Sequence, residues 1–190
     1  MTTNRLEAFS DGVLAIIITI MVLELRPPEG HAPPDLAPIL GTFLSYTLSF
    51  VFVGIYWNNH HHLLQASRVV SGAVLWANLH LLFWLSLVPF TTAWMGESGF
   101  APWPVALYGL DLLLAGIAYY LLVRALLAGQ GPDSALAKAI GRDLKGKASL
   151  GLYLLALPLA LRWPLAACAL YVLVAVLWLL PDRRIERVLG

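Results

Sequence analysis

The chain has 190 residues, of which 59% are hydrophobic and 12% charged, roughly half the ionic content of about 25% found in soluble globular domains; this composition predicts an integral membrane protein. A bilayer core takes about 20 apolar helical residues per span, so the length accommodates about six spans with short connections and little soluble domain. The net charge of +1 offers no basic field for nucleic acid, and one cysteine, Cys168 inside an apolar run, excludes an intrachain disulfide framework or a cysteine metal site.

Taken in chain order, the apolar stretches predict six helical spans at 6–25, 37–59, 69–92, 105–127, 144–161 and 164–180, one all-α transmembrane domain over residues 1–190. The first stretch is not read as a cleaved leader. Glu7 and Asp11 interrupt the approach to it, and Glu24-Leu25-Arg26-Pro27-Pro28 after it lacks a small-x-small cleavage pattern. Prolines and glycines from Pro27 to Pro34 and at Gly131-Pro132 mark connections, and Arg162-Trp163-Pro164 marks a tight hairpin between the fifth and sixth spans. Pro89 and Pro158 fall inside spans, where neighbouring helices can satisfy the freed backbone groups. The fifth span requires Lys145 and Lys147 to snorkel toward the interface. No internal repeat or second domain is evident.

Counting basic residues sets the expected orientation. Arg5, Arg68, Arg124, the cations from Lys138 to Lys147 and those from Arg183 to Arg187 fall on one side of the six-span plan, against Arg26 and Arg162 on the other. Both termini are therefore expected in the cytoplasm. The outer side also carries Glu24, Glu29, Asp35 and Glu97, a mild attraction for cations or simply solvated loop charge.

The first span holds the most informative pattern, because ionisable residues inside a membrane are costly and mark function. At about 100° per residue, Gly12, Thr19, Ile20 and Leu23 lie within about 60° of Ile16, and Asp11 lies about 140° away. One face is thus apolar with a single hydroxyl, and the acid is on another. Arg5 and Asp11 are too far apart around the helix to pair with each other. Taken alone, Ile16, Ile20 and Leu23 could equally pack against helices or lipid, and the Thr19 hydroxyl could bond back to the Ala15 carbonyl.

With Arg5-x-x-x-Phe9-Ser10-Asp11 and its Ile/Thr/Leu continuation to Leu25, with Trp57-Asn58-Asn59-His60-His61, and with Asn78 and Leu87-Val88-Pro89-Phe90-Thr91-Thr92, the sequence resembles the bacterial branch of the transmembrane protein 175 potassium channels. The resemblance covers nearly the whole chain. It implies a homotetramer in the bacterial inner membrane, with the first helix of each copy lining a central pore for K+ and no re-entrant filter loop. It further implies a hydrophobic constriction at Ile16, Ile20 and Leu23, and a selectivity layer at Thr19 with modest preference for K+ over Na+. The resemblance places Arg5, Phe9, Ser10, Asp11, Trp57, Asn78 and one or both of His60 and His61 in a polar network anchoring the pore helix. It implies no cofactor.

Two other function classes have residues that could serve them. His60, His61 and His62 invite a metalloenzyme reading with His80, but adjacent helical residues diverge by about 100° and lack the i, i+4 spacing of a zinc site. A coupled transporter would use Asp11 or Asp111 as a carrier group; the uninterrupted first span and the missing repeat count against it. Asp111 has no partner on its own helix, leaving open whether it is protonated, hydrogen-bonded elsewhere or remote from any pore. No nucleophile elbow, phosphate loop or carboxylate pair points to an enzyme.

Overall fold

The computed structural model describes residues 2–28, 30–67, 70–130, 134–140 and 143–179. Glu29, Arg68, Val69, Gly131, Pro132, Arg142, Leu180 and the cations at 183–187 lie outside the described residues, as do the side chains of Asp35 and Lys138. The helices are α1 (Thr3–Leu23), α2 (Leu40–Gln65), α3 (Gly72–Glu97), α4 (Pro102–Gln130), α5 (Ala135–Ile140), α6 (Leu144–Arg162) and α7 (Pro164–Leu179), with a 3-10 helix over Pro33–Ile39 before α2. Five of them, α1, α2, α3, α4 and α6, are long and apolar enough to cross a membrane. The apolar α7 is shorter, at 16 residues. The 3-10 turn and α5 were not expected from the apolar pattern, since neither is long or periodic enough to register in it.

Local chemistry sets the helix ends. The Ser71 hydroxyl accepts the Val74 N–H and starts α3, a side-chain cap that satisfies one of the otherwise orphaned first-turn donors. At its far end Gly99 and Phe100 take φ of 61° and 62°, and their N–H groups return to the carbonyls of Gly96 and Met95. This left-handed exit closes the last turn and aims the chain into Pro102, which begins α4 where a missing N–H costs nothing. The predicted hairpin between the last two helices is present: the Trp163 N–H closes onto the Leu159 carbonyl at 2.7 Å, and Pro164 opens α7.

Helix α1 packs onto α2 and α3, α3 onto α4, and α4 onto α6 and α7; α1 runs antiparallel to α2, as the pairs Glu7–His61 and Asp11–Trp57 show, and parallel to α3, whose first turns meet its own. Leu14, Ile17 and Met21 of α1 join Leu81, Leu85 and Leu122 in one buried cluster. A second cluster, around Phe52, Met95, Tyr108, Tyr153 and Tyr171, ties α2 and α3 to the last helices. Helices α2 and α3 approach closely at Gly96, where a Cβ would lie 2.4 Å from Ser45 Oγ and 2.6 Å from Thr42 Cα. The Thr42 backbone cannot rotate aside, so Gly96→Ala is expected to cost about 1–3 kcal/mol through overpacking. Thermal unfolding in detergent checks this, and an unchanged midpoint would mean that the two helices do not approach this closely.

Candidate functional site

Helix α1 rests on its neighbours by one face only. Leu6, Ser10, Leu14, Ile17 and Met21 are buried against α2 and α3, at the helical spacing of one continuous stripe. The opposite stripe is uncovered along the helix: Gly12, Ala15 and Thr19 are exposed, and so are Ile16 at 60%, Ile20 at 43% and Leu23 at 73%. The Thr19 hydroxyl donates to the Ala15 carbonyl at 2.8 Å. That bond uses its only proton and leaves the oxygen lone pairs available on the exposed side.

Behind the stripe, buried polar groups join three helices. His60 Nε2 lies 2.7 Å from Asn78 Oδ1, Asn78 Nδ2 donates to Ser10 Oγ at 3.0 Å, and Ser10 donates to the Leu6 carbonyl at 2.9 Å. Each bond direction is determined: an amide oxygen only accepts, so His60 carries its proton on Nε2. Its Nδ1 is buried and has no hydrogen-bond partner among the described residues. All three side chains are essentially inaccessible, where an unmade hydrogen bond is expensive.

A second, more exposed cluster lies on the side of α1 that faces α2. Trp57 Nε1 donates to Asp11 Oδ1 at 3.1 Å, His61 Nδ1 lies 2.5 Å from Glu7 Oε1, and the Trp57 and His61 rings stack with centroids 6.2 Å apart. Glu7 was not among the expected site residues. Its signal was the matching spacing: Glu7 and Asp11 are four apart on α1, Trp57 and His61 are four apart on α2, and antiparallel helices align two such pairs.

Arg5 and Phe9 join neither cluster within the single chain; both are exposed. Their positions explain this, since at about 100° per residue they fall within about 20° of Ile16 and so belong to the uncovered stripe. The histidines diverge as their spacing requires. His60 turns to α3 and His61 to α1, and His62 meets His61 edge-on. His80 accepts from Trp84 on its own helix. Among the described residues no three His, Cys, Asp or Glu side chains converge on a metal-sized site.

Asp111 finds its partner on a neighbouring helix: Thr91 donates to its Oδ2 at 3.0 Å, while Oδ1 is buried without a hydrogen bond among the described residues. Close by, Ser49, Thr92 and Tyr108 share hydroxyl hydrogen bonds of 2.6 and 3.0 Å. Neither acid considered for a transporter, Asp11 or Asp111, lies on the exposed stripe of α1.

A family model described as the endosomal/lysosomal potassium channel TMEM175 matches residues 5–89, the stretch that carries both polar clusters. A Chryseobacterium sp. protein named as a potassium channel is 54% identical over 187 residues, 98% of this chain and 97% of its own length. The chain belongs to the TMEM175 family. The crystal structure of a lysosomal potassium-selective channel TMEM175 homologue from Chamaesiphon minutus is similar throughout, with a TM-score of 0.82 at 26% identity, covering 96% of this chain and 97% of that one. The human endosomal/lysosomal proton channel TMEM175 is 32% identical over 116 residues, which is 55% of this chain and 23% of that protein. This TMEM175-family chain is a multi-pass, all-helical membrane protein of a channel family rather than an enzyme. Within the stretch that the TMEM175 model matches, the two polar clusters join α1 to α2 and α3.

Proposed function

We propose that the protein is a K+-permeable cation channel of the bacterial inner membrane, formed by a tetramer in which the exposed stripe of α1 lines a central pore. The observation that carries this reading is that stripe. One face of α1 is sealed onto α2 and α3, and the other, with Ile16, Thr19, Ile20 and Leu23, has no cover in the single chain. The near full-length potassium channel relative from Chryseobacterium supports the choice of ion. Six spans follow with α7 as the last, and the excess of Lys and Arg on one side puts both termini in the cytoplasm.

Rings of Ile16, Ile20 and Leu23 would constrict such a pore sterically and by expelling water, so conduction requires the rings to widen. Thr19 would supply the selectivity layer. With its proton engaged by Ala15, its oxygen faces the ion as an acceptor, in the manner of the oxygens that replace a hydration shell. Ser10, Asn78 and His60, with Asp11, Trp57, Glu7 and His61 beside them, fix the rotation of α1. A turn of one residue, about 100°, would exchange Ile16 for Ile17 in the pore. Arg5 and Phe9 continue the stripe and would lie at the cytoplasmic mouth or against the neighbouring copy.

The direct test is ion flux into liposomes carrying the purified protein, driven by K+ or Na+ gradients with a protonophore balancing charge. The expected result is K+ flux exceeding Na+ flux by a modest factor. Equal fluxes would remove the selectivity role of Thr19, and no flux from folded tetramers, including an Ile16→Ala variant, would overturn the channel reading.

A further inference from the structure

Helices α3, α4 and α6 leave an open groove of about 440 Å³ between them, within the range of small-molecule sites, about 300–1,000 Å³. Trp94 of α3, Trp103, Leu107 and Leu110 of α4, and Pro158 and Leu161 of α6 line it. The α4 residues follow one another at i, i+4 and i+7, a single helical stripe. Trp94, Trp103, Leu110 and Leu161 are exposed, on helices long and apolar enough to cross a membrane, so the groove opens toward lipid.

Charge stands at one end of this groove, where α3 stops at Glu97, α4 starts at Pro102 and α6 stops at Arg162. Arg162 is four residues beyond Pro158 and Glu97 three beyond Trp94, spacings that keep each close to the face of the lining residue before it. Both are exposed, and neither has an ion pair or hydrogen bond among the described residues. The Arg162 guanidinium lies 5.1 Å from the centre of the Trp163 ring, a cation–π contact that steadies the side chain and leaves its N–H fork without an acceptor. The indole N–H groups of Trp94 and Trp103 also lack an acceptor among the described residues. Rings of this kind sit at headgroup level, apolar body inward and polar tip outward.

We propose that this groove is a binding site for a zwitterionic phospholipid of the ethanolamine class, with an acyl chain along its apolar walls, the phosphate on Arg162 and the ammonium on Glu97. A guanidinium matches phosphate oxygens in a two-pronged geometry. A carboxylate at the same end pairs with an ammonium and repels a headgroup of net negative charge. The proposal is independent of the pore reading, as no residue of α1 contributes.

Native mass spectrometry of the purified, delipidated protein, titrated with dioleoylphosphatidylethanolamine or dioleoylphosphatidylglycerol, tests it. Saturable binding of the ethanolamine lipid is expected, about tenfold tighter than the glycerol lipid, and Arg162→Gln should weaken both by about tenfold. Glu97→Gln should erase the preference for the ethanolamine headgroup. Both side chains are exposed, so neither change is expected to disturb the fold. Ala106→Phe, which places a ring inside the groove, should abolish binding; should that variant fail to fold, the two charge variants decide. Absence of saturable binding, equal affinity for the two lipids, or an unmoved affinity in Arg162→Gln would overturn the proposal, as would a preference that survives in Glu97→Gln.

Discussion

Ile16→Ala is expected to raise K+ flux in liposomes on the order of tenfold while the tetramer still assembles. The substitution removes three carbons from a side chain that is 60% exposed in the single chain, so it leaves no cavity in the packed core. Exposed substitutions of this kind change folding by roughly 0.5 kcal/mol or less. If the ring of four isoleucines is the narrowest and driest point of the pore, the same change widens it and lowers the cost of wetting it. A tenfold rate needs about 1.4 kcal/mol off the barrier, less than the hydrophobic worth of the carbons removed at about 0.8 kcal/mol each. Ile17→Ala is the internal contrast. Ile17 is buried against α2 and α3, so the same truncation should cost about 2–5 kcal/mol of stability and leave the flux per folded channel little changed. Unchanged flux in Ile16→Ala, measured on channels counted by single-molecule or burst recording, would take Ile16 out of the pore.

Asn78→Ala is expected to be among the most destabilising single changes in the chain. Asn78 is the middle link between His60 on α2 and Ser10 on α1, and it is completely buried. Removing it orphans the His60 Nε2–H and strips Ser10 Oγ of its incoming donor. Each unsatisfied buried group costs about 1–3 kcal/mol, so the loss is about 2–6 kcal/mol, a large part of the 5–15 kcal/mol typical of a folded domain. The readout is the thermal midpoint in detergent together with the fraction eluting as a discrete tetramer. Asn78→Asp separates hydrogen bonding from packing: a carboxylate still accepts from His60 but cannot donate to Ser10, so about half the loss should remain. A wild-type midpoint for Asn78→Ala would mean that these three side chains do not hold the helices together.

The two-faced character of α1 was legible because helical periodicity is a local property. Side chains at i, i+3, i+4 and i+7 share a face whatever lies beside the helix, so Ile16, Thr19, Ile20 and Leu23 grouped together, and Asp11 apart from them, required no fold. The break at Trp163-Pro164 and the apolar stretches of the other helices were legible for the same reason. The divergence of His60, His61 and His62 likewise follows from their adjacency.

The partners were not legible. Nothing in the sequence directs Asn78 to both Ser10 and His60, or Thr91 to Asp111 across 20 residues, because those contacts depend on which helices lie side by side and at what register. Glu7 escaped notice for that reason: its spacing to Asp11 gains meaning only when α2 lies antiparallel with Trp57 and His61 opposite. Arg5 and Phe9 show the converse, assigned to a network by resemblance although their angular positions put them on the exposed stripe. Composition and periodicity by themselves determined a membrane-embedded helical chain and the composition of each face of its first helix, since burial preference and helical geometry act within one segment. Only the tertiary structure decided which face of α1 is sealed onto α2 and α3 and which buried polar groups satisfy one another, because each depends on the docking of segments far apart in the chain.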